Sequence, residues 1–424
     1  MNAEFDRARL LRERGRHEEA IAVLHSHLAR HPEDPFAFIE LALNRMEVDG
    51  QMNQALADAR TASGLVPNEP FALSLQSRIL SRLDRHKEAL ELAASALAID
   101  PEFDHAWCSK CIGLIGLSRW KEAEEAARSA LSLDPDDETA SNLLAHVLRM
   151  QNRLDESEDE SRRRLARDPE NAFSFANAGW AALQRGDIKG AENHFKESLR
   201  IDPNMEYARA GLKQSYRARS AFYRVFLKWA FFMQRFSEGN QTAIIIGLVV
   251  GFQILRRLAA NVHPLLVIVL AIAYYLFVFG SWLCNGLSNF LLLRDPVARL
   301  SLDRSEKIEG GVIGLLFFGG LICLVGGFGL EMFALGVAGG VLMVAALPAS
   351  MVFTNPSPNG RVVFGLVTAA TLVAGGVMAA DVAAHPGREI FAGRAGELFP
   401  VVLLLAAGSS WLGMIPALRK SKRA

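Results

Sequence analysis

The chain has 424 residues, 50% of them hydrophobic and 22% charged, with no net charge, an average that would pass for a soluble protein. The average joins two unlike parts: residues 1–216 hold 28 Lys and Arg against 37 Asp and Glu, a net −9, and the remainder holds 18 against 9, a net +9. From Gly239 to Leu418 only 17 of 180 residues are charged, a composition suited to lipid that excludes a wholly soluble protein.

The N-terminus runs directly into charged amphipathic sequence without the apolar core of a signal peptide, so the first part is expected to stay where it is made. Four cysteines in a chain of this length make no disulfide framework, and a reducing compartment suits them.

A period dominates residues 2–216. Pro32, Pro67, Pro101, Pro135, Pro169 and Pro203 are separated by 35, 34, 34, 34 and 34 residues. Twelve residues before each stands a small residue: Ala20, Ala55, Ala89, Ala123, Ser157 and Ala191. A second small series precedes it: Ala8, Ala42, Ser77, Cys111, Ala145 and Gly179. Small residues at fixed positions let two amphipathic helices per unit approach closely, and the proline closes the second helix. Asp100-Pro101, Asp134-Pro135, Asp168-Pro169 and Asp202-Pro203 repeat one stop signal.

These six copies resemble the tetratricopeptide repeat family. The resemblance implies an all-α solenoid over residues 1–216, closed by a polar capping helix from Glu206, that binds protein or peptide segments in its concave groove. In the family the first helix of each repeat lines that groove, which places Arg78, Arg82, Ile112, Ile115, His146, Arg149, Trp180 and Leu183 there, with Phe5, Arg9, Phe36 and Phe71 nearer the N-terminus. The family's clamp for chaperone tails needs lysine and asparagine at two groove positions of one repeat. None of the six repeats has that pair, so chaperone-tail binding is not expected. Arg9, Arg12, Arg78, Arg82 and Arg149 face Glu13 and Glu47 in the groove, a balance of +3 in an acidic domain. The expected partner is therefore a segment of apolar and acidic residues. Repeat five departs from the pattern, with Ser157, Ser161 and Arg164 in its second helix; a loose joint is expected there.

Residues 217–238 form a basic, aromatic stretch. Arg217, Arg224, Lys228 and Arg235 recur at helical spacing opposite Phe222, Phe226, Trp229 and Phe236. A basic face against an aromatic one suits a helix in the lipid interface, with packing on the solenoid as the other reading. Residues 239–418 then parse into about six spans of roughly 20 residues, with a turn at Glu331 and a basic tail at 419–424. Five spans remain open, because Arg256 and Arg257 interrupt the first. With six, fourteen basic residues fall on the side of the repeats and four, Arg256, Arg257, Arg388 and Arg394, on the other. That asymmetry puts the repeats and the C-terminus in the cytoplasm, and the bacterial inner membrane is the expected location. Gly310 with Gly314, and Gly336 with Gly340, would pack membrane helices within the chain or between copies, leaving a homo-oligomer possible.

Chemistry finds little support. Cys108 and Cys111 have redox-motif spacing, but the repeat register buries both inside one helix without a preceding strand. His27 and His31 have chelating spacing on a helix that reads as solvated surface. No catalytic residue, metal, cofactor or nucleic-acid partner is expected, and paired charges inside the membrane segment are absent from this reading. The resulting function is a membrane-anchored, noncatalytic scaffold. The alternative is a transporter or membrane enzyme regulated by the repeats, for which six spans, more than an anchor needs, are the argument.

Overall fold

The computed structural model describes residues 3–386, 393–412 and 418; Arg388 and the basic tail at 419–424 lie outside them. The described residues are helical throughout, with no strand. They divide into two units: residues 1–211 with 231–241, and residues 212–230 with the chain from 242 onward.

The first unit is six helix pairs: α1 (Ala3–Glu13) and α2 (His17–Leu28), α3 (Pro35–Arg45) and α4 (Met52–Leu65), α5 (Pro70–Arg82) and α6 (His86–Ile99), α7 (Asp104–Gly116) and α8 (Trp120–Leu133), α9 (Glu138–Met150) and α10 (Leu154–Arg167), and α11 (Ala172–Arg185) and α12 (Ile188–Ile201). Both small-residue series are buried where the two helices of each pair meet: Ala8, Ala42, Ser77 and Cys111 are fully enclosed, as are Ala20, Ala55, Ala89, Ala123, Ser157 and Ala191. Interiors packed at crystal density leave no room there for a larger side chain. Repeat six keeps that balance with different residues. Its α12 buries Phe195, and a Cβ on Gly179 would lie 2.8 Å from that ring.

The turn inside each pair has its own signature. Gly15, Gly50, Asp84, Ser118, Asn152 and Gly186 all take a positive φ, between 56° and 98°. One left-handed residue reverses the chain after each first helix, a conformation that glycine, asparagine and aspartate adopt at least cost. The stop signals work through their aspartates: Asp100, Asp134, Asp168 and Asp202 each accept the backbone N–H two residues on, at 2.9 to 3.2 Å.

Helix α13 (Glu206–Arg217) and helix α14 (Ala221–Met233) follow. The second unit continues with α15 (Glu238–Ala260), α16 (Pro264–Leu292), α17 (Arg304–Gly314), α18 (Gly320–Gly329), α19 (Phe333–Thr354), α20 (Pro358–Ala384) and α21 (Gly393–Leu412). A π-helical turn, Leu315–Gly319, joins α17 to α18. Among the described residues, five helical stretches are long and apolar enough to cross a membrane: Gly239–Ala260, Pro264–Leu292, Arg304–Gly329, Phe333–Thr354 and Pro358–Ala384. Helix α15 runs unbroken through Arg256 and Arg257. The sixth expected span, 398–418, coincides with α21 as far as Leu412, and residues 413–417 lie outside the described ones. The chain turns at Leu330 and Glu331, the latter at φ 57°.

Glycines serve this unit's own packing. A Cβ on Gly327 of α18 would fall 2.2 Å from the Gly336 nitrogen of α19, and one on Gly310 of α17 would fall 2.9 Å from the Asn289 carbonyl carbon of α16. Glycines at these positions let the helix backbones approach closely.

Candidate functional site

The first helices α1, α3, α5 and α7 present a groove with two hollows that meet at Phe71. One, of about 330 Å³, is lined by Phe5, Arg9, Arg12, Phe36, Ile39, Glu40, Leu43, Glu69 and Phe71. The other, of about 140 Å³, is lined by residues that include Phe71, Ser74, Arg78, His105 and Ile112. Phe36 is exposed while Phe5 and Phe71 are half-buried, so an aromatic ladder faces the groove. Asp34 and Glu69 hold this arrangement by capping α3 and α5, accepting the Phe36 and Phe71 backbone N–H groups at 3.0 and 3.3 Å.

The groove's charges are largely spent inside it. Glu40, buried in the floor, takes Arg12 at 2.9 Å and Arg9 at 3.6 Å. Arg82 donates to the Met46 carbonyl at 2.9 Å and to Glu47 at 3.1 Å. Arg78 is left: loss of hydration, and then Arg82 beside it, lowers its pKa below the usual guanidinium value. Arg78 is half-buried, with a like charge as its neighbour. Ile112 and Ile115 are half-buried next along the face.

Beyond them the groove is filled. Arg149 is buried, its guanidinium 5.7 Å from the Trp180 ring and 3.3 Å from His146 Nδ1. His146 loses its hydration there, which with Arg149 alongside pushes its pKa down to about 3. Leu183 is buried. Trp180 is packed by Phe195, Tyr207 and Phe231, with centroids at 5.5, 5.6 and 6.3 Å. Phe231 belongs to the segment after α14's midpoint. The same segment brings Arg235 to Asn152 Oδ1 at 2.6 Å and its own carbonyl to the Trp120 indole N–H at 2.6 Å.

The sequence-expected interface residues therefore part company. Arg224 and Lys228 are exposed on α14, and Trp229 meets Phe277 of α16 edge-on at 5.5 Å, whereas Arg235 is held on the repeats. Phe226 lies against Gly280 of α16, where a Cβ would fall 2.6 Å from its ring.

The cysteines are enclosed. Cys108 donates to Asp137 at 3.1 Å, and burial pushes its thiol far up; Cys111 is pushed up to about 12 by burial alone. Neither supplies thiolate at neutral pH. His27 is buried and bonded to Asp34 at 2.8 Å.

Sequence reasoning missed one constellation. Arg217, buried, donates to Asn289 Oδ1 at 2.8 and 3.0 Å and to Glu306 at 3.0 Å, while Asn289 donates to Glu309 Oε2 at 3.0 Å. Glu306 and Glu309 lie in the first turns of the stretch Arg304–Gly329, whereas Arg217, expected on the basic interfacial face, is buried on α13, so the charge pair stands at the end of that stretch and not inside it. The missing signal was the start of that helix, fixed by an Asp303–Glu306 capping box seven residues before the apolar run at Gly311.

Family models for the tetratricopeptide repeat match residues 2–43 and 113–172. The chain carries tetratricopeptide repeats. Such repeats form protein-interaction scaffolds, generally without enzymatic activity, and take peptide or protein partners. A tetratricopeptide-repeat protein of Thermus thermophilus is 16% identical over 43% of this chain and 98% of its own, with a TM-score of 0.40. One from Parabacteroides merdae is 14% identical over 57% and 95%, at 0.42. MamA of Desulfovibrio magneticus is 18% identical over 41% and 97%, at 0.33. No curated protein is a significant match to this tetratricopeptide-repeat chain.

Proposed function

We propose that this protein is a membrane-anchored scaffold: a six-repeat solenoid over 1–216, a linker over 217–238, a membrane domain of about six helices over 239–418, and a basic tail at 419–424. The repeats and the tail are cytoplasmic, at a bacterial inner membrane. The single observation that supports this reading is the open half of the groove, where Phe36 stands exposed beside half-buried Phe71 and the poorly hydrated Arg78. Aromatic anchors beside a desolvated arginine are the composition of interface hot spots. The partner is a peptide segment in which apolar residues alternate with acidic ones, and Arg78 steers it. Arg224, Lys228 and Trp229 meet the lipid headgroups, and the membrane helices are the place for any self-association.

A second reading, a transporter or membrane enzyme under control of the repeats, draws support from the Arg217–Asn289–Glu309 cluster, because polar groups in a membrane are costly and mark function by default. An apolar cavity of about 840 Å³ between α16, α19 and α21 adds to it.

Topology reporters separate location from function. One fused after Ala424 is expected to report the cytoplasm and one near Arg388 the opposite side. An exterior C-terminus would overturn the six-span arrangement.

A further inference from the structure

The turn residue Asn152 and the first residue of α8, Trp120, both lie on the edge where first helices pass into second helices. The carbonyl that Trp120 caps, that of Arg235, lies just past the last turn of α14, where carbonyls have no partner within the helix. Phe231, four residues earlier on the same helical face, covers Trp180, and Arg235 itself reaches Asn152. Three contacts, from three different repeats, thus hold the end of one aromatic, basic helix. The fit leaves a donor unused: the Trp180 indole N–H is buried and faces no acceptor among the described residues. A covering segment that leaves a buried donor unpaired is held less firmly than one that pairs every group it covers.

We propose that the edge formed by Trp120, Asn152 and Trp180 is a second peptide-binding surface, distinct from the open groove, whose resting occupant is the chain's own segment 231–241. Its external ligand is the C-terminal end of an amphipathic helix with an aromatic residue four positions before an arginine. The resting contacts support that choice: Asn152 Oδ1 accepts from an arginine, the Trp180 ring packs against an aromatic side chain, and the repeats carry a net −9 that favours a basic ligand. The surface is closed until the segment leaves, so the chain carries a built-in competitor. This proposal stands apart from the acidic-partner reading of the groove, and each can fail alone.

The test uses the full chain in nanodiscs and a fluorescein-labelled peptide of residues 229–241 as probe, read by anisotropy. Phe231→Ala with Arg235→Ala weakens the internal segment and leaves the surface intact. That variant is expected to bind the probe at least tenfold more tightly than the unaltered chain. Adding Asn152→Gly, which keeps the left-handed turn as Gly15, Gly50 and Gly186 do, or Trp120→Phe, which removes the indole N–H and keeps an aromatic ring, should abolish the gain. Equal binding to the unaltered and weakened chains, or a gain that survives Asn152→Gly, would overturn the proposal. So would loss of the cooperative unfolding of the repeats in the Phe231→Ala, Arg235→Ala chain, because the segment would then be part of the core.

Discussion

Ser157 donates its hydroxyl to the Ala145 carbonyl at 2.7 Å, and Ser77 donates to Ala89 at the same distance in the opposite sense, so repeats three and five each join their two small positions by one hydrogen bond. The serine in repeat five is therefore satisfied. What is weak there is burial: α10 buries only Ser157 and Ser161, where α6 and α8 bury rows of alanine. Ser161 bonds back to the Ser157 carbonyl, which competes with helical geometry.

Residues 154–167 should accordingly exchange amide hydrogens faster than any other second helix between α4 and α12. Ser157→Ala should cost about 0.5 to 1.5 kcal/mol by losing its bond to Ala145. Ser161→Ala, which installs the residue found at Ala59, Ala93 and Ala127, should be neutral or slightly stabilising. Denaturant unfolding reads both.

Acid should loosen the repeats through His146. Its folded pKa, about 3, lies below its ordinary 6.5, so between those values the unfolded chain binds a proton that the folded chain does not. Stability is fully present above about pH 6.5 and falls with decreasing pH at up to about 1.4 kcal/mol per unit. His194, also lowered by burial, adds the same sign. Carboxylates such as Glu158, held below 4.5 by arginines, lose their contribution only further down. Thermal unfolding between pH 7 and 5 should show the loss, and His146→Gln should flatten it.

Much of this was legible in the sequence because volume is a local demand. Each repeat needs a small residue at two positions, and the 34-residue period exposes them. The left-handed turn has the same period, yet glycine, aspartate, serine and asparagine share it, so no single letter marks it. Glu40 escaped notice because its partners Arg9 and Arg12 lie a whole repeat away, and the place of Arg235 on the repeats because the indole that meets it is 115 residues distant. Pairings of that separation follow from the coiling of the repeats, which no local window contains.

Asn289→Leu should leave Arg217 with Glu306 alone and take from Glu309 Oε2 its donor, a loss of about 1 to 3 kcal/mol for a buried polar group left unpaired. Glu331→Gln, at an exposed turn, should change stability by no more than about 0.5 kcal/mol. Thermal unfolding in detergent compares the two, and equal effects would contradict the cluster's structural weight.

The scaffold reading is tested most directly by photocrosslinking in intact membranes, with a photoreactive residue placed singly at Phe36, Phe71 or Ile112 and, as controls, at exposed Glu91 and Glu125 on second helices. The account predicts one shared adduct from the three groove positions, none from the controls, and loss of that adduct in Arg78→Glu with the repeats still folded by circular dichroism. Adducts from the second-helix positions alone, or groove adducts indifferent to Arg78→Glu, would contradict it.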